Sequence, residues 1–396
     1  MRRADDSTGT RMIKSLAIAN YRSLLKLTVP LGRLNVITGP NGSGKSNLYR
    51  ALRLLAETAQ GGVVSALAHE GGLGSTFWAG PEKITRRMRE GEAIEGGPRK
   101  RAVRLRLGFS GEDFGYSITL GLPEQSPSAF TLDPEIKREC IWAGPHYRLA
   151  SLLVDRKGPV IKVRSGGGWT VASERIAPFD SMFSHASGTS LTPEAFQMRE
   201  TIRGWRFYDH FRTDTDAPAR VPQLGTRTPV LHHDGHDIAA ALQTIREIGD
   251  GEALDQAICD AFPGSALDIS IQRDTRFSLE FRQNGLLRSL TGAELSDGTL
   301  RYLLLVAALL TPRPPSVMVL NEPETSLSPD LLPALARLIV RASETTQIWV
   351  VSHATRLIAA LNEHPGCHSI ELVKDFGETQ IAGQSFSDVP LWHWPD

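Results

Sequence analysis

The stretch L-N-V-I-T-G-P-N-G-S-G-K-S-N-L-Y-R-A-L-R-L-L, residues 34–55, decides the fold. Leu34–Thr38 is a short apolar run that reads as a buried strand. Gly39–Ser46 matches G-x-x-x-x-G-K-[ST] with no departure. From Asn47 to Thr58 the apolar residues Leu48, Leu52 and Leu55 fall on one helical face. Strand, glycine loop and helix in this order form an anion cradle. The glycines let the chain curl so that backbone N–H groups point inward, and the helix N-terminus adds partial positive charge. Gly39, Gly42, Gly44, Lys45 and Ser46 are therefore candidate ligands of a nucleotide's phosphates, with Ser46 placed to hold Mg²⁺.

Outward from this loop, the 396-residue chain has ordinary globular composition. Hydrophobic residues make up 41% and charged residues 22%, so a core can form and wholesale disorder is excluded. Forty-four basic side chains balance 44 acidic ones, so any nucleic-acid contact must come from a local patch. Cys140, Cys259 and Cys367 form no C-x-x-C pair; this excludes a disulfide scaffold and a cysteine-rich zinc module and fits a reducing cytosol. The longest apolar run, Leu303–Leu310, is far short of the about 20 residues of a membrane span. The N-terminus lacks the apolar stretch of an export signal, so a cytoplasmic chain with no membrane role is expected.

Residues 1–11 read as a disordered tail, and two short strands around a turn are expected from Met12. Further strands are expected at 101–109, 114–122 and 160–163, helices at 192–203, 237–248 and 252–261, and strands at 267–272 and 276–282. The domain expectation is a lobe over 12–185, a helical and strand insert over 186–290, and a C-terminal lobe over 291–396.

Three later segments extend the chemistry. In A-E-L-S-D-G-T-L-R-Y (293–302) a polar turn opens an apolar helix; Ser296 and Gly298 could form an anion nest, or Ser296 a plain helix cap. In V-M-V-L-N-E-P-E-T-S-L-S-P (317–329) a buried strand ends at Asn321-Glu322, where open α/β sheets place ligands, and a carboxylate there can deprotonate water. In I-W-V-V-S-H (348–353) a second apolar strand ends at His353, which could reach a γ-phosphate.

The order of these four segments resembles the RecF/SMC-like branch of the ABC-type ATPases. It is closer still to the single-chain AAA-type "predicted ATPase" group, which W-R-F-Y-D-H-F (205–211) and H-H-D-G-H-D-I-A (232–239) also fit. The resemblance implies an α/β P-loop NTPase of ABC-ATPase head type. It would have a mixed sheet with flanking helices, an antiparallel N-terminal sheet and a helical lobe. It implies that Gly39, Asn41, Gly42, Gly44, Lys45 and Ser46 form Walker A, Leu295–Gly298 the signature, Asn321 and Glu322 the end of Walker B, Thr325–Leu327 the D-loop and His353 the switch histidine. Glu322 and His353 would be catalytic, Ser46 and Asn321 would hold Mg²⁺, and two copies would sandwich two ATP molecules. The expected activity is ATP hydrolysis in DNA repair, recombination or phage defence, with DNA and a nuclease or toxin as candidate partners.

This chain departs from the pattern in places. Asn321 stands where the family has Asp, and an amide keeps the oxygen but loses the charge that holds Mg²⁺. This opens an alternative, a weakly or non-hydrolysing ATP-sensing scaffold that regulates a toxin or nuclease. Asp297 replaces a glycine of the signature, and the Q-loop glutamine has only positional candidates in Gln60 and Gln125. The long stretch between Lys45 and Ser296 disfavours a transporter subunit, and its lack of heptads disfavours a long coiled-coil arm. The residues after His353 are expected to leave no room for the nuclease domain of OLD-type relatives. Residues 82–106 carry nine basic and four acidic side chains, a candidate phosphate-gripping patch or else a solvated strand face. His232, His233, Asp234 and His236 suggest metal ligands, but Asp-Gly reads as a turn before a helix, and the turn is the expectation. The tryptophans of F-W-A-G (77–80) and I-W-A-G (141–144) read as core; those of L-W-H-W (391–394) could cap the core or meet a partner.

Overall fold

A computed structural model describes residues 12–82, 84–92, 102–124, 129–185, 192–385 and 387–395. The tail expected at 1–11, the candidate Gln125, and Arg99, Lys100 and Arg101 of the basic patch lie outside the described residues. In chain order the elements begin β1 (Ile13–Tyr21), β2 (Leu24–Pro30), β3 (Leu34–Thr38), α1 (Lys45–Thr58), α2 (Val63–His69), α3 (Leu73–Thr76) and α4 (Arg86–Arg89). There follow β4 (Leu105–Gly111), β5 (Phe114–Gly121), β6 (Glu135–Ala143), β7 (Leu152–Lys157), β8 (Val160–Ser165), β9 (Gly168–Ser173) and α5 (Pro193–Arg203). Next come β10 (Arg206–Tyr208), β11 (Gln223–Leu224), α6 (Ile238–Ile248), α7 (Gly251–Ala261), β12 (Ala266–Ile271), β13 (Arg276–Arg282) and β14 (Leu290–Thr291). The last are α8 (Asp297–Leu309), β15 (Val317–Asn321), α9 (Leu332–Ser343), β16 (Gln347–Val351), α10 (Thr355–Asn362), β17 (Cys367–Asp375) and β18 (Glu378–Ile381).

The chain divides into two compact units. The first holds residues up to Gly32, Thr38–Trp205 and Ile370 onward; the second holds Arg33–Ile37 and Arg206–Ser369. The first unit is built on an antiparallel sheet of order β2-β1-β4-β5-β6-β7-β8-β9. Its strands alternate in the manner expected of a sheet with one packed face: in β7 the order is buried, half-buried, buried, half-buried, buried, exposed. Helix α1 lies on this sheet with Leu48, Leu52 and Leu55 buried, as the helical spacing predicts. Phe109, Tyr116, Phe183 and Trp205 stack in a chain with ring separations of 5.0–5.9 Å. Trp78 and Trp142 are core residues, and Trp392 packs edge-on against Trp142 at 5.8 Å, so the C-terminal tryptophans cap this core.

A buried charge cluster ties β6 to the chain that follows β9. The Glu139 carboxylate accepts from Tyr116 Oη at 2.7 Å, Ser181 Oγ at 2.5 Å, the Met182 N–H at 2.8 Å and Arg156 Nη1 at 3.2 Å. Arg156 also donates to the carbonyls of Ala177 at 2.9 Å and of Asp180. Both charged residues are fully buried, and the carboxylate meets donors while the guanidinium meets acceptors.

The second unit holds a parallel set in the order β10-β15-β16-β3. The central strands β15 and β16 are mostly apolar, as strands covered on both faces tend to be. In β15 Val317–Leu320 are buried and in β16 every residue is. Helix α8 is buried along nearly its whole length, Leu300 to Leu309, and shares a core with α6, α7, α9 and the strands. The antiparallel set β11-β13-β12, with β14 beside β13, completes the unit.

The expected strand at 34–38, the helix from 192 and the strand at 276–282 stand where the sequence placed them. Thr192 caps α5 by accepting from the Ala195 N–H at 3.3 Å. The short α2, α3 and α4, and α10, β17 and β18 beyond His353, were not foreseen. No helix among the described residues is long and apolar enough to cross a membrane.

Candidate functional site

In the first unit, the loop from Gly39 to Ser46 leads into α1. Gly39 and Gly44 have φ of 137° and 109°, which favour glycine. A Cβ on Gly44 would lie 2.1 Å from Thr379 Oγ1, and one on Gly39 would lie 2.2 Å from the Leu372 carbonyl oxygen. Thr379 Oγ1 donates to the Ser43 carbonyl at 2.8 Å and bonds Ser23 Oγ at 2.7 Å, while Asn47 Nδ2 donates to the same Ser23 Oγ at 2.8 Å. The loop is thus clasped by β18 and by the β1–β2 turn.

Helix α1 starts at Gly44 with no side-chain cap, so its first N–H groups are left for another acceptor. Lys45 is buried and its Nζ bends back to the carbonyls of Gly39 at 2.6 Å and Pro40 at 3.1 Å. Ser43 Oγ is buried with no partner. Ser46 and Asn41 are exposed. An uncapped helix start, a buried ammonium, an orphaned hydroxyl and a cradle that side chains would fill are what a polyphosphate needs, so these residues fit Mg-ATP.

In the second unit, three strand ends stand in register. Asn321 of β15 pairs with Val351 of β16, which pairs with Ile37 of β3. Glu322 follows directly, with φ of 48°, a left-handed conformation that costs a side chain energy and gathers at functional positions. Its N–H donates to the Val351 carbonyl at 2.8 Å, and its own carbonyl accepts from Thr325 N–H at 3.1 Å and Arg301 Nη2 at 3.0 Å. His353 is exposed, and its Nδ1 lies 3.7 Å from Glu322 Oε1 and 3.6 Å from Glu324 Oε1. Glu322 and His353, named from sequence, are thus brought together with Asn321 at one end of the parallel set.

Ser296 caps α8, its Oγ accepting from the Thr299 N–H at 3.1 Å. The helix-cap alternative therefore describes this hydroxyl, which remains exposed. Gly298 has a separate reason to be glycine: its Cβ would sit 2.8 Å from the Ser326 carbonyl oxygen, so the turn after β15 passes against the start of α8. Asp297, the departure from the family's signature, is held by Arg220 Nη2 at 2.7 Å. Arg220 also donates to the carbonyls of Leu295 at 2.6 Å and Gly292 at 3.1 Å, fixing the turn before α8.

Arg220, Thr379 and Glu324 were not singled out from sequence. For Glu324 a signal existed, a second carboxylate two residues after a strand-end one. For the other two there was none. Of the basic patch, Arg86 pairs with Glu90 at 2.7 Å and Arg89 with Asp375 at 3.0 Å. His232 and His236 each bond Asp234 Oδ1 through Nδ1 at 2.7 Å, and donor atoms of the three lie within 4.8 Å of one another. The turn expected there is present, with Gly235 at φ of 72°; its side chains also form a group that could hold a cation.

The profile of one protein family, described as "AAA domain, putative AbiEii toxin, Type IV TA system", matches residues 34–142 and 173–359. An OLD nuclease of Thermus scotoductus is 46% identical over 44 residues, which is 11% of this chain and 8% of that protein. The chain therefore spans a small part of the curated relative it matches. Among solved structures, an SMC head bound to the C-terminal winged-helix domain of ScpA is 12% identical with a TM-score of 0.49, covering 95% of this chain and 98% of that one. The SMC head domain from Thermotoga maritima is 14% identical with a TM-score of 0.47, covering 94% and 99%. With a strand, glycine loop and helix at 34–58, a parallel set ending in Asn321-Glu322, and a profile match over most of its length, the chain belongs to this AAA-domain family of ATPases.

Proposed function

We propose that this chain binds Mg-ATP at residues 39–46, dimerises on it and hydrolyses it. The observation that carries the reading is the uncapped start of α1 inside a glycine cradle, with the Lys45 ammonium held over the loop's own carbonyls. When bound, Mg-ATP supplies the phosphoryl group that passes to water. Lys45 would then exchange its carbonyl partners for phosphate oxygens, and the free N–H groups of α1 would donate to the same anion. Ser46 and Asn321 would hold the metal. Glu322 would take the proton of the attacking water, and His353 would donate to the terminal phosphate. Ser296 and Gly298 would meet a nucleotide held by a second copy.

The family's description names a toxin of a type IV toxin–antitoxin system, and the curated relative is a nuclease. Both support a role in defence or in DNA repair and recombination, with DNA, a toxin or a nuclease as partner, in the cytoplasm. Lys45→Ala should abolish nucleotide binding, and Glu322→Gln should trap an ATP-bound dimer. Undiminished turnover in the first variant, or only monomer by light scattering with ATP in the second, would sink the reading.

One observation favours a second reading. Asn321 brings no charge to the metal position, which suits a slow or non-hydrolysing ATP sensor that holds a toxin or nuclease. Steady-state turnover with Mg²⁺ separates the two: phosphate release no faster than buffer selects the sensor.

A further inference from the structure

Two buried charges lie among the segments that carry Glu322 and His353, and the roles given above use neither. Glu324 is buried. Its Oε1 accepts from Ser352 Oγ at 2.7 Å, from the His353 N–H at 3.1 Å and from the Ala354 N–H at 3.2 Å. Three successive residues of the segment that presents His353 thus donate to one carboxylate oxygen. Glu324 Oε2 is buried with no partner.

Arg301 sits in the second turn of α8 and is 2% exposed. Its Nη2 donates to the Glu322 carbonyl at 3.0 Å and its Nη1 to the Phe211 carbonyl at 3.4 Å, while Nε is buried with no partner. Burial lowers the pKa of its guanidinium, and the carboxylates of Glu324 and Glu322 oppose that shift. Packing alone does not favour such groups, because an apolar pair of similar volume would avoid the desolvation of two half-satisfied charges.

We propose that Arg301 and Glu324 are positioning residues for hydrolysis. Arg301 pins the left-handed Glu322 peptide to α8, the helix that Ser296 caps, and Glu324 clamps the segment that carries His353. Movement at the start of α8 would then reach Glu322 through its carbonyl, while Glu324 holds the segment that carries His353 in place. Neither residue touches the reacting atoms. The inference rests on the reading of Glu322 and His353 as hydrolytic groups.

The test uses the full chain with ATP and Mg²⁺. Arg301→Met and Glu324→Leu should each lower kcat about tenfold or more while KM and nucleotide affinity stay within about twofold. Arg301→Lys should recover part of the loss. Where Glu324→Leu fails to fold, Glu324→Gln keeps an acceptor oxygen without the charge and should lower kcat about threefold to tenfold. Hydrogen exchange gives a readout that does not need turnover: the His353 and Ala354 amides should exchange about tenfold faster in Glu324→Leu, with α1 unchanged. Wild-type kcat with unchanged exchange overturns the proposal, as does a loss carried equally by nucleotide affinity. A wild-type chain with no turnover at all defeats the hydrolytic reading instead. In that case exchange at 353–354 still decides whether Glu324 is the clamp: acceleration supports it and no change removes it.

Discussion

Thr379 Oγ1 donates to the Ser43 carbonyl at 2.8 Å, joining the glycine loop to a hairpin that lies 336 residues further along the chain. The hydroxyl stands where a Cβ on Gly44 would have to go. Gly44→Ala should therefore displace Thr379, open the loop and weaken nucleotide binding by tenfold or more, as measured by calorimetry. Thr379→Val preserves shape but strands the Ser43 carbonyl, and should cost about 1–3 kcal/mol in denaturant unfolding.

Asn321 offers a gain-of-function prediction. Asp at this position restores the charge that a divalent cation prefers. Asn321→Asp should lower the Mg²⁺ concentration for half-maximal turnover and raise kcat. An unchanged Mg²⁺ titration would remove Asn321 from the metal's surroundings.

Arg220 is predicted to matter for assembly rather than for binding. It fixes Leu295, Gly292 and Asp297 around the start of α8 and lies in the second unit, whereas Lys45 lies in the first. Arg220→Ala should leave ATP affinity near wild type yet abolish the ATP-dependent dimer trapped by Glu322→Gln. Light scattering on the double variant reads this directly.

Burial raises the Asp209 carboxyl from 3.8 to about 6. The folded state holds this proton over a window in which the unfolded chain has released it. Its contribution to stability is therefore best below about pH 4, falls through pH 4–6 and stays low above. Asp209→Asn should stabilise the chain by roughly 1–3 kcal/mol at pH 7–8, at the lower end because solvent reaches part of the group, and by almost nothing at pH 4. Thermal melts at the two pH values test the sign.

Glu139 and Arg156 should behave as a buried pair whose halves cannot be separated. Glu139→Ala leaves a guanidinium without its counter-charge inside the first unit, and a loss of about 3–5 kcal/mol is expected in denaturant titration.

The parts legible in the sequence were those whose signal is local. Gly39–Ser46 announces itself because curl, charge and helix start are all encoded within eight residues. The strands at 317–321 and 347–351 read as apolar runs because both of their faces are covered. Helices α3 and α4 have four residues each, too few to show a period, and they fall in a segment that glycines already break up. Thr379, Arg220 and Arg301 stayed hidden for a different reason. A threonine in a terminal hairpin, or an arginine in a loop or apolar helix, gains its role from partners tens to hundreds of residues away. The His353 segment was readable as an apolar strand ending in histidine, but not its suspension from Glu324.

Glu322 occupies a backbone region that glycine enters freely and that costs other residues about 1–2 kcal/mol. With Glu322 as the proposed base, durability and turnover pull against each other at a single codon. Drift to glycine would yield a hardier molecule that still grips nucleotide but no longer consumes it. A lineage needing a long-lived switch in place of a fast cycle could reach one by that one replacement, and heat challenge of a mutant library should enrich it.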